Sequence, residues 1–402
     1  MTTTTTTRAI PVLDDDPFTE EILRDPLPFQ ERLREAGSVV LLEKYDVYAM
    51  GRYDTVHTAL LDWQSLQSSA GVGLSNFRYE KPWRPPSLLL EADPPHHNAP
   101  RATLEKILSP RAIRRMMPAW EQDAHDLLDE VLSGPREFDA VRALAEVYPL
   151  RVFPDAVGLR EEGRDALLPY GNHAFNAFGP ANFLVAEGAP HTQTLSAAVA
   201  QMCARDQLEE SGFGADIWAA SDRGDISVDQ APLIVRSLLT AGVDTTVHAI
   251  GAMIYALASN PAQWEALKAD PSLVRTAFDE AIRLESPVQT FFRTAKSDVE
   301  IDGHLIPEGK KVLMFLSSAN RDHRRWASPD AFDLTRDPSG HVGFGMGIHQ
   351  CVGQHVARLE AASLIGAMVE RVETIEIAGP TERHLNNTLR AWHSLPVRVT
   401  LR

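Results

Sequence analysis

The sequence predicts a mainly α-helical fold with small β-sheets, and three observations support that class. The run from Val228 to Ser259 is apolar on all sides and is bounded by helix-start and helix-stop residues, which is the pattern of one long buried helix. Helical patterns broken by proline and glycine fill much of residues 110–208. Strand-like runs are short and fall within residues 39–50 and 299–316.

The segments before residue 100 place short elements around a long loop. A helical piece that ends near Leu33 is followed by strands at residues 39–42 and 47–50, which predict a small antiparallel sheet. A helix is predicted over residues 54–61. Residues 70–90 then contain two glycines and three prolines, and a long loop inside a compact domain commonly carries function.

Length and composition indicate a globular protein. With 402 residues and 44% hydrophobic content, the chain can bury a sizeable core, and we expect a disordered tip over residues 1–10 and a single domain over residues 11–402. Two widely separated cysteines indicate a reducing compartment, and the N-terminus has no apolar leader. The formal charge of −16 argues against a nucleic-acid partner. We therefore expect a cytoplasmic monomer that binds neither nucleic acid nor membrane.

A glycine-rich loop with one cysteine precedes a predicted helix. Cys351 stands between Gly347 and Gly353, where glycine lets the backbone approach a flat ligand closely. At the start of a helix, the dipole and the unpaired N–H groups favour a thiolate. A buried free cysteine is one alternative, and a zinc site shared with His355 is another. Zinc needs four ligands, however, and no cysteine or histidine pair at short spacing stands nearby.

This loop resembles the haem-binding loop of the cytochrome P450 monooxygenases. The matching residues are Phe344, Gly347, His349, Cys351 and Gly353. The resemblance implies haem b as the cofactor, Cys351 as the ligand of its iron, and the triangular prism fold of that family. A thiolate ligand pushes electron density into haem iron and favours cleavage of the O–O bond. Neither a phosphate loop nor a dinucleotide fingerprint is convincing, so no bound flavin or nicotinamide is expected.

Polar residues interrupt the long apolar run at residues 241–246, Ala-Gly-Val-Asp-Thr-Thr. Glycine, aspartate and threonine are unfavourable in the middle of a buried helix, and such a conflict often marks function. One interpretation is a kink in which threonine bonds back to a carbonyl. The family resemblance implies a second one, an oxygen-binding groove in which Asp244 and Thr245 are the catalytic acid and alcohol that deliver protons. Ala241 would then lie beside the substrate.

Four residues match the family's ligands of the haem propionates. His97 and Arg101 are four apart, so they share a face of a helix; a polar pair at a helix start is the alternative. The resemblance implies that Arg293 and His349 complete the set. Pro100 departs from the family pattern, and the first turn of a helix would tolerate it.

Glu280 and Arg283 match the family's ExxR element. Their spacing alone is also typical of a surface pair on a helix. Their place in the chain, between the long helix and the cysteine loop, agrees with the family order, which implies a buried ion pair with an architectural role.

Two segments resemble the subfamily that oxidises para-substituted benzoates such as 4-methoxybenzoate. They are residues 83–87, Trp-Arg-Pro-Pro-Ser, and residues 236–239, Arg-Ser-Leu-Leu. Thr240 departs from the serine expected next. In that subfamily the matching residues hold the substrate carboxylate, and here they are Arg84, Ser87, Arg236 and Ser237.

An apolar slot would surround the substrate ring. The residues predicted to form it are Leu90, Phe175, Phe178, Val288 and Phe291. On one unbroken helix, Ser237 lies two turns, or about 10.5 Å, before Asp244, a separation that suits an anchored carboxylate and an oxidised para carbon. If Arg84 and Arg236 are instead surface arginines, the pocket takes a neutral hydrophobe such as a terpene.

Together, these matches imply a monooxygenase that inserts one oxygen atom of O2 into a small aromatic carboxylate, by O-demethylation or hydroxylation at the para group. Similar bacterial enzymes receive electrons from an iron–sulfur ferredoxin served by a separate reductase. The exposed face predicted to dock it is the basic run Lys106, Arg111, Arg114 and Arg115, although such runs are also typical of solvated helices. A haem-thiolate sensor would not need the pair of Asp244 and Thr245, and a peroxide-driven enzyme typically replaces it, so its presence favours the monooxygenase.

Overall fold

The computed structural model describes residues 8–402, which are mainly helical with four small sheets, so the predicted fold class is confirmed. The α-helices are α1 Glu20–Arg24, α2 Leu27–Ala36, α3 Tyr53–Leu61, α4 Asn98–Ile107, α5 Pro110–Ile113, α6 Met117–Ser133, α7 Val147–Val157, α8 Leu167–Asn176, α9 Phe183–Gly188, α10 Thr192–Met202, α11 Phe213–Asp222, α12 Ala231–Gly242, α13 Asp244–Ser259, α14 Pro261–Ala269, α15 Val274–Glu285, α16 Leu316–Asn320 and α17 Gln354–Arg371. The strands are β1 Val12–Leu13, β2 Val40–Leu42, β3 Val47–Met50, β4 Leu66–Gln67, β5 Glu137–Asp139, β6 Thr290–Ala295, β7 Val299–Ile301, β8 His304–Ile306, β9 Lys311–Phe315, β10 Val372–Ile377, β11 Glu382–His384, β12 Ala391–Ser394 and β13 Pro396–Leu401.

The largest sheet joins the two ends of the chain. Its six strands follow the order β1-β2-β3-β9-β6-β4. The predicted antiparallel pair β2 and β3 is present, with Val40 opposite Ala49, but β3 also pairs in parallel with β9, where Ala49 faces Leu313. All five residues of β9 are buried, as expected for a central strand. The predicted antiparallel pair is therefore confirmed, but it belongs to a larger sheet than predicted, because β3 pairs with a strand more than 250 residues later.

The predicted long helix is interrupted. Helix α12 ends at Gly242 and α13 begins at Asp244, and two threonine hydroxyls bond back to carbonyls of the preceding turn, from Thr245 to Ala241 at 2.7 Å and from Thr246 to Gly242 at 3.1 Å. Back-bonding of this kind bends helices. A single helix over residues 228–259 is thus corrected to two helices. The expected spacing of about 10.5 Å between Ser237 and Asp244 assumed one continuous helix, and the interruption at Val243 removes that basis.

The two helices lie in the main hydrophobic core. Helix α13 packs there against α15 and α17, and α12 packs against α8 and α11; the same core contains the fully buried side chains of Trp264 and Phe278. The run Ala231–Ser259 is long and apolar enough to cross a membrane, but 61% of its most apolar window is buried within the protein, as in the core helix of a soluble protein.

Residues 1–7 of the predicted disordered tip lie outside the described part of the chain. Residues 8–10 do not follow that prediction, because the backbone N–H of Arg8 donates to the carbonyl of Gly303 at 2.9 Å and Ile10 packs against the core.

A buried ion cluster fixes the segment that leads to the cysteine loop. Arg283 donates to both carboxylate oxygens of Glu280 at 2.7 and 2.9 Å, and neither side chain is exposed. Arg336 adds a third charge, with Nε 3.0 Å from Glu280 Oε1. The pair predicted to be architectural is therefore fully buried, and sequence reasoning missed its third member, Arg336.

We expect Glu280→Gln to destabilise the protein by about 3–5 kcal/mol, because it leaves two guanidinium groups buried without their counter-charge. The measurement is the urea midpoint of the haem-loaded protein. Arg24→Ala is the matched control, since Arg24 pairs with Glu20 at an exposed (i, i+4) position, where such pairs contribute little. Equal midpoints for Glu280→Gln and the control would contradict the architectural role.

Candidate active site

Two glycines with a left-handed backbone conformation shape the cysteine loop. Gly345 and Gly347 have φ values of 66° and 67°, which side chains on L residues disfavour. The backbone N–H of Cys351 donates to the carbonyl of Phe344 at 2.8 Å, so the loop closes on itself just before α17. The ring of Phe344 packs against Phe278 and lies 4.7 Å from the guanidinium of Arg358.

The Cys351 thiol is in a mixed electrostatic environment. Burial raises its pKa above the ordinary value, while the backbone N–H groups of Gly353 and Gln354 and the charge of Arg101 act in the opposite direction. In the protein without a metal, desolvation outweighs these groups, so the helix start favours the thiolate, as expected, without compensating fully for burial. Coordination to a metal ion deprotonates such a thiol.

No side chain fills the position beside the thiol at Gly353. A Cβ built on Gly353 would meet Cys351 Sγ at 3.9 Å and no other non-neighbouring atom within 4 Å, so glycine keeps the approach to the sulfur clear of a side chain. Ala241, on the last turn of α12, is exposed, and Thr245 is half-buried.

Two buried groups that could bind an anion have no carboxylate partner in residues 8–402. Arg293 is 3% exposed. Its side chain donates one hydrogen bond, to the carbonyl of the preceding residue Phe292 at 2.8 Å, and no other within residues 8–402. His97 is also 3% exposed, and its Nε2 has no hydrogen-bond partner in the described structure. Burial lowers the pKa of Arg293 to about 10 and that of His97 to about 4. An anion such as a haem propionate would satisfy both groups.

The other two predicted propionate ligands already have protein partners. His349 Nδ1–H donates to the carbonyl of Leu89 at 3.0 Å, and its Nε2 lies 3.1 Å from Ser68 Oγ. Arg101 donates to the carbonyl of Gln350 at 2.6 Å and pairs with Glu105 at 2.7 Å. His349 packs edge-on against His97 at 4.8 Å between ring centroids, so it borders the same space. Pro100 lies in the first turn of α4, as predicted.

Asp244 is buried beside a second titratable group. Its Oδ1 lies 2.9 Å from Nε2 of His248, one turn further along α13, while its Oδ2 has no hydrogen-bond partner among the described residues. Gly171 of α8 makes room for it, since a Cβ there would come within 3.0 Å of the Asp244 Cβ. Sequence reasoning missed His248, although its spacing of four residues from Asp244 was available as a signal.

The four residues predicted to bind a carboxylate are close to one another. Ser87 Oγ lies 3.2 Å from Ser237 Oγ. Arg236 is 7% exposed and donates to the carbonyl of Pro85 at 2.7 Å. The side chain of Arg84 is also buried, and its Nη1 lies 3.2 Å from Glu91 Oε2.

This cluster has an excess of positive charge. Glu91, which sequence reasoning did not identify, pairs with Arg84, and no carboxylate pairs with Arg236 within residues 8–402. Burial and the charge of Arg84 lower the pKa of Arg236 below its ordinary value. Of the two buried guanidinium groups, only that of Arg84 has a carboxylate partner, which favours binding of a further anion at Arg236.

The predicted apolar slot residues form one cluster. Phe175 and Phe178 meet edge-on at 5.7 Å, and Phe178 lies 6.1 Å from Phe291. Leu90 and Val288 pack on the same cluster. The cluster also includes Val72 and Leu389, which the sequence did not single out because each is an isolated apolar residue in a loop.

Comparisons with known proteins agree with this arrangement. The family model for cytochrome P450 matches residues 213–396. Cytochrome p450 CYP199A2 of Rhodopseudomonas palustris is 54% identical over 97% of this chain and 95% of that protein. Cytochrome P450 monooxygenase PikC of Streptomyces venezuelae is 30% identical over 98% of this chain and 95% of that protein. The solved structure of cytochrome P450 CREJ in complex with (4-ethylphenyl) dihydrogen phosphate has a TM-score of 0.86 and 26% identity, and the match covers 96% of this chain and 99% of that chain.

The chain belongs to the cytochrome P450 family. It is a haem-dependent monooxygenase that takes an organic substrate, O2 and a redox partner. Bound haem supplies the activation of O2. Three features of the site fit haem. Within residues 8–402 Arg293 has no carboxylate partner and His97 Nε2 has no hydrogen-bond partner, and no side chain at Gly353 blocks the approach to the Cys351 sulfur.

We expect the reduced protein with carbon monoxide to show the red-shifted Soret band of thiolate ligation, because Cys351 is the predicted ligand. Cys351→His should move that band to the position typical of histidine ligation. Cys203→Ser is the control, since Cys203 is the other cysteine, and it is buried away from this loop with its Sγ donating to the Val199 carbonyl. A histidine-type band in the folded wild-type protein would rule Cys351 out.

Proposed function

We propose that this monooxygenase oxidises the para group of a small substituted benzoate such as 4-methoxybenzoate, by O-demethylation or hydroxylation. The observation that carries the proposal is the buried cluster in which Arg84 pairs with Glu91 while the buried Arg236 has no carboxylate partner in residues 8–402. A substrate carboxylate would balance the remaining positive charge, and the hydroxyls of Ser87 and Ser237 supply further donors.

The apolar cluster supports an aromatic substrate. Rings such as Phe175, Phe178 and Phe291 favour edge-to-face contact with another ring. The CREJ structure offers a parallel, because its ligand is a para-substituted phenyl ring with an anionic group. A neutral terpene is the alternative substrate, and it would leave the charge of Arg236 unbalanced.

Asp244 and Thr245 are the proposed proton-delivering pair. The buried Asp244 carboxylate has one free oxygen, and the Thr245 hydroxyl donates to a backbone carbonyl, so its oxygen stays available as an acceptor.

An iron–sulfur ferredoxin with a separate reductase is the proposed electron source. Lys106, Arg111, Arg114 and Arg115 are all exposed, and none pairs with an acid within the described part of the chain. Helix α4, which carries Lys106, is tied to the cysteine loop because Arg101 donates to the Gln350 carbonyl. The basic surface thus lies beside the loop that would hold the haem.

We further propose that the protein acts as a cytoplasmic monomer, with residues 11–402 as one domain.

For the substrate, 4-methoxybenzoate should bind at least about tenfold more tightly than its methyl ester, since a charge-assisted bond contributes roughly 1.5–3 kcal/mol. Arg236→Met should reduce this ratio by weakening only the acid. Thr240→Ser is the matched control, because it keeps the hydroxyl that donates to the Arg236 carbonyl. The substrate-induced shift of the haem spectrum measures each affinity. Equal binding of acid and ester by the wild-type protein would defeat the proposal.

For the acid and the alcohol, Asp244→Asn should bind substrate normally but turn over at least about a hundredfold more slowly, which is the range of general acid catalysis. Thr245→Ala should divert electrons to hydrogen peroxide. Product and peroxide formed per NADH are the measurements. Wild-type yields in both variants would exclude the proposed roles.

For the redox partner, electron transfer should slow as salt rises, because exposed charges are screened beyond about 8 Å at physiological ionic strength. Reversal of Arg114 and Arg115 to glutamate should raise the ferredoxin concentration needed for half-maximal rate. Lys81→Glu, in the loop that carries Arg84, is the control at another exposed position. An unchanged ferredoxin dependence in the double variant would count against this docking surface.

A further inference from the structure

Lys311, the first residue of β9, is a buried cation that no acid balances. The residue is 6% exposed, and its ammonium pairs with no carboxylate within residues 8–402. Its Nζ donates to the backbone carbonyls of Gly71 at 2.8 Å and of Ala70 at 3.3 Å, and it lies 6.0 Å from the centroid of the Phe292 ring. A buried ammonium is costly to keep, and such a local conflict often marks function.

The segment that Lys311 holds forms one wall of the apolar slot. Val72 directly follows the two residues that Lys311 binds, and it packs in the cluster that contains Phe175 and Phe178. The backbone N–H of Leu74 donates to the Phe178 carbonyl at 2.8 Å. This segment therefore links the start of β9 to the aromatic rings of the slot.

The contact between this segment and α8 is a direct contact of two backbones. A Cβ built on Gly73 would come within 2.7 Å of the Phe178 Cα and 2.8 Å of the Phe178 carbonyl oxygen. No side chain of residue 73 separates the two backbones, so a shift of residues 70–74 would pass directly to Phe178. The position of this wall thus depends on what fixes the segment from the other side.

We propose that Lys311 is a positioning residue for ligand binding. Its ammonium holds the carbonyls of residues 70 and 71 against the sheet, and this bond sets the distance between Val72 and the rings of Phe175 and Phe178. Lys311 acts on the ligand only through the segment that it holds. The proposal rests on the apolar slot of the proposed function, and it does not depend on the carboxylate-binding cluster.

The charge of Lys311 differs from that of the buried arginines because it depends on pH. Burial lowers the pKa of Lys311 to about 7; among the charged groups near enough to influence it, Arg293 on β6 acts in the same direction, while Glu80 and Glu91 in the loop after β4 act in the opposite one. An arginine such as Arg236 stays charged at any working pH. Lys311 is charged below its pKa and then donates charge-assisted bonds to the two carbonyls, whereas the neutral amine above it donates weaker ones.

Lys311→Met removes the ammonium and keeps an apolar stem. We expect the haem-loaded variant to bind 4-phenylimidazole at least about fivefold more weakly than wild type, the lower end of coupling between separate sites. Imidazole has no phenyl group to place in the slot, so its affinity should not change. Coordination of the azole nitrogen to iron shifts the haem spectrum, which measures both affinities. Lys310→Met is the matched control, because Lys310 pairs with Asp46 at the surface.

Double variants separate positioning from general support of the fold. If Lys311 acts through Val72, the loss of 4-phenylimidazole affinity in Lys311→Met combined with Val72→Ala should be little larger than in Val72→Ala alone. Leu90→Ala, which changes the same slot from another segment, should add fully to Lys311→Met. Gly73→Ala should resemble Lys311→Met, because its Cβ pushes the segment away from α8. Full additivity of Lys311→Met with Val72→Ala would overturn the proposal.

The pH dependence tests the ammonium itself. The dissociation constant of Lys311→Met for 4-phenylimidazole, divided by that of wild type, should be largest below the Lys311 pKa of about 7 and fall towards one above it, since wild type then loses the same charge. Protonation of the ligand affects both proteins equally and cancels in this ratio. A ratio greater than one that does not change with pH would overturn the role of the ammonium.

The outcomes distinguish this proposal from the proposed function. If wild type prefers 4-phenylimidazole to imidazole and Lys311→Met keeps that preference, only the role of Lys311 is wrong. If Lys311→Met loses the preference but 4-methoxybenzoate does not bind wild type, the benzoate substrate is wrong and the role of Lys311 stands. Absence of any preference in wild type would defeat both. Should Lys311→Met not give the carbon monoxide band of the folded protein, Lys311→Gln replaces it, with the same expected loss.

Discussion

The ion pair between Glu280 and Arg283 is the interaction on which the position of the cysteine loop depends. All five N–H donors of Arg283 are used, two on Glu280 and three on the carbonyls of Asn320, Pro329 and Ala331. A buried charge is tolerated when its hydrogen bonds are complete in this way. Helix α15 and the irregular segment around residues 320–336 are thereby fixed to each other.

That anchoring reaches the cysteine through a short series of hydrogen bonds. Asn320, whose carbonyl binds Arg283, also accepts the backbone N–H of Val342 on its side-chain oxygen at 2.8 Å. The carbonyl of Val342 accepts from Gly345, and the carbonyl of Phe344 accepts from Cys351. The sulfur therefore lies at the end of a fully hydrogen-bonded path, so loss of the buried pair would disturb the loop without any contact between them.

The sequence was informative where the pattern is local and uninformative where partners are distant. The strands at residues 47–50 and 299–301, the helix at residues 53–61 and the polar interruption at residues 241–246 follow from composition and spacing. The pairing of β3 with β9 does not, because a strand pattern specifies a face and not a partner. The burial that raises the pKa of Cys351 could likewise not be inferred, because a helix start is visible in sequence, whereas burial is not.

The same limit applies to the candidate site. Family resemblance identified Arg84, Ser87, Arg236 and Ser237. The counter-charge of Glu91 could not be inferred, because nothing in the sequence distinguishes it from the other acids of that loop. His248 was detectable from its spacing to Asp244. The ring of His384, which lies 6.2 Å from that of His248, could not be placed beside Asp244 from the sequence, because it belongs to a two-stranded sheet about 140 residues further along the chain.

The buried arginines divide into two groups, and the division locates the ligand sites. Around Glu285, the guanidinium groups of Arg321, Arg383 and Arg390 lie within 4 Å of one carboxylate, and Arg283 is complete on Glu280. These cations are balanced or hydrogen-bonded within the protein. Arg293 and Arg236 differ from these arginines, because within residues 8–402 their side chains donate hydrogen bonds only to backbone carbonyls.

A buried cation without a counter-charge is costly to keep. Arg34 is a third buried arginine without a carboxylate partner in residues 8–402, but it donates to both the carbonyl and the hydroxyl of Ser318. For Arg293 and Arg236, which have only backbone carbonyls as partners, anions that arrive with ligands would supply the missing charge. A haem propionate at Arg293 and a substrate carboxylate at Arg236 would each supply one negative charge. On this argument the free enzyme is destabilised at both positions, and each ligand stabilises the fold as well as occupying its site.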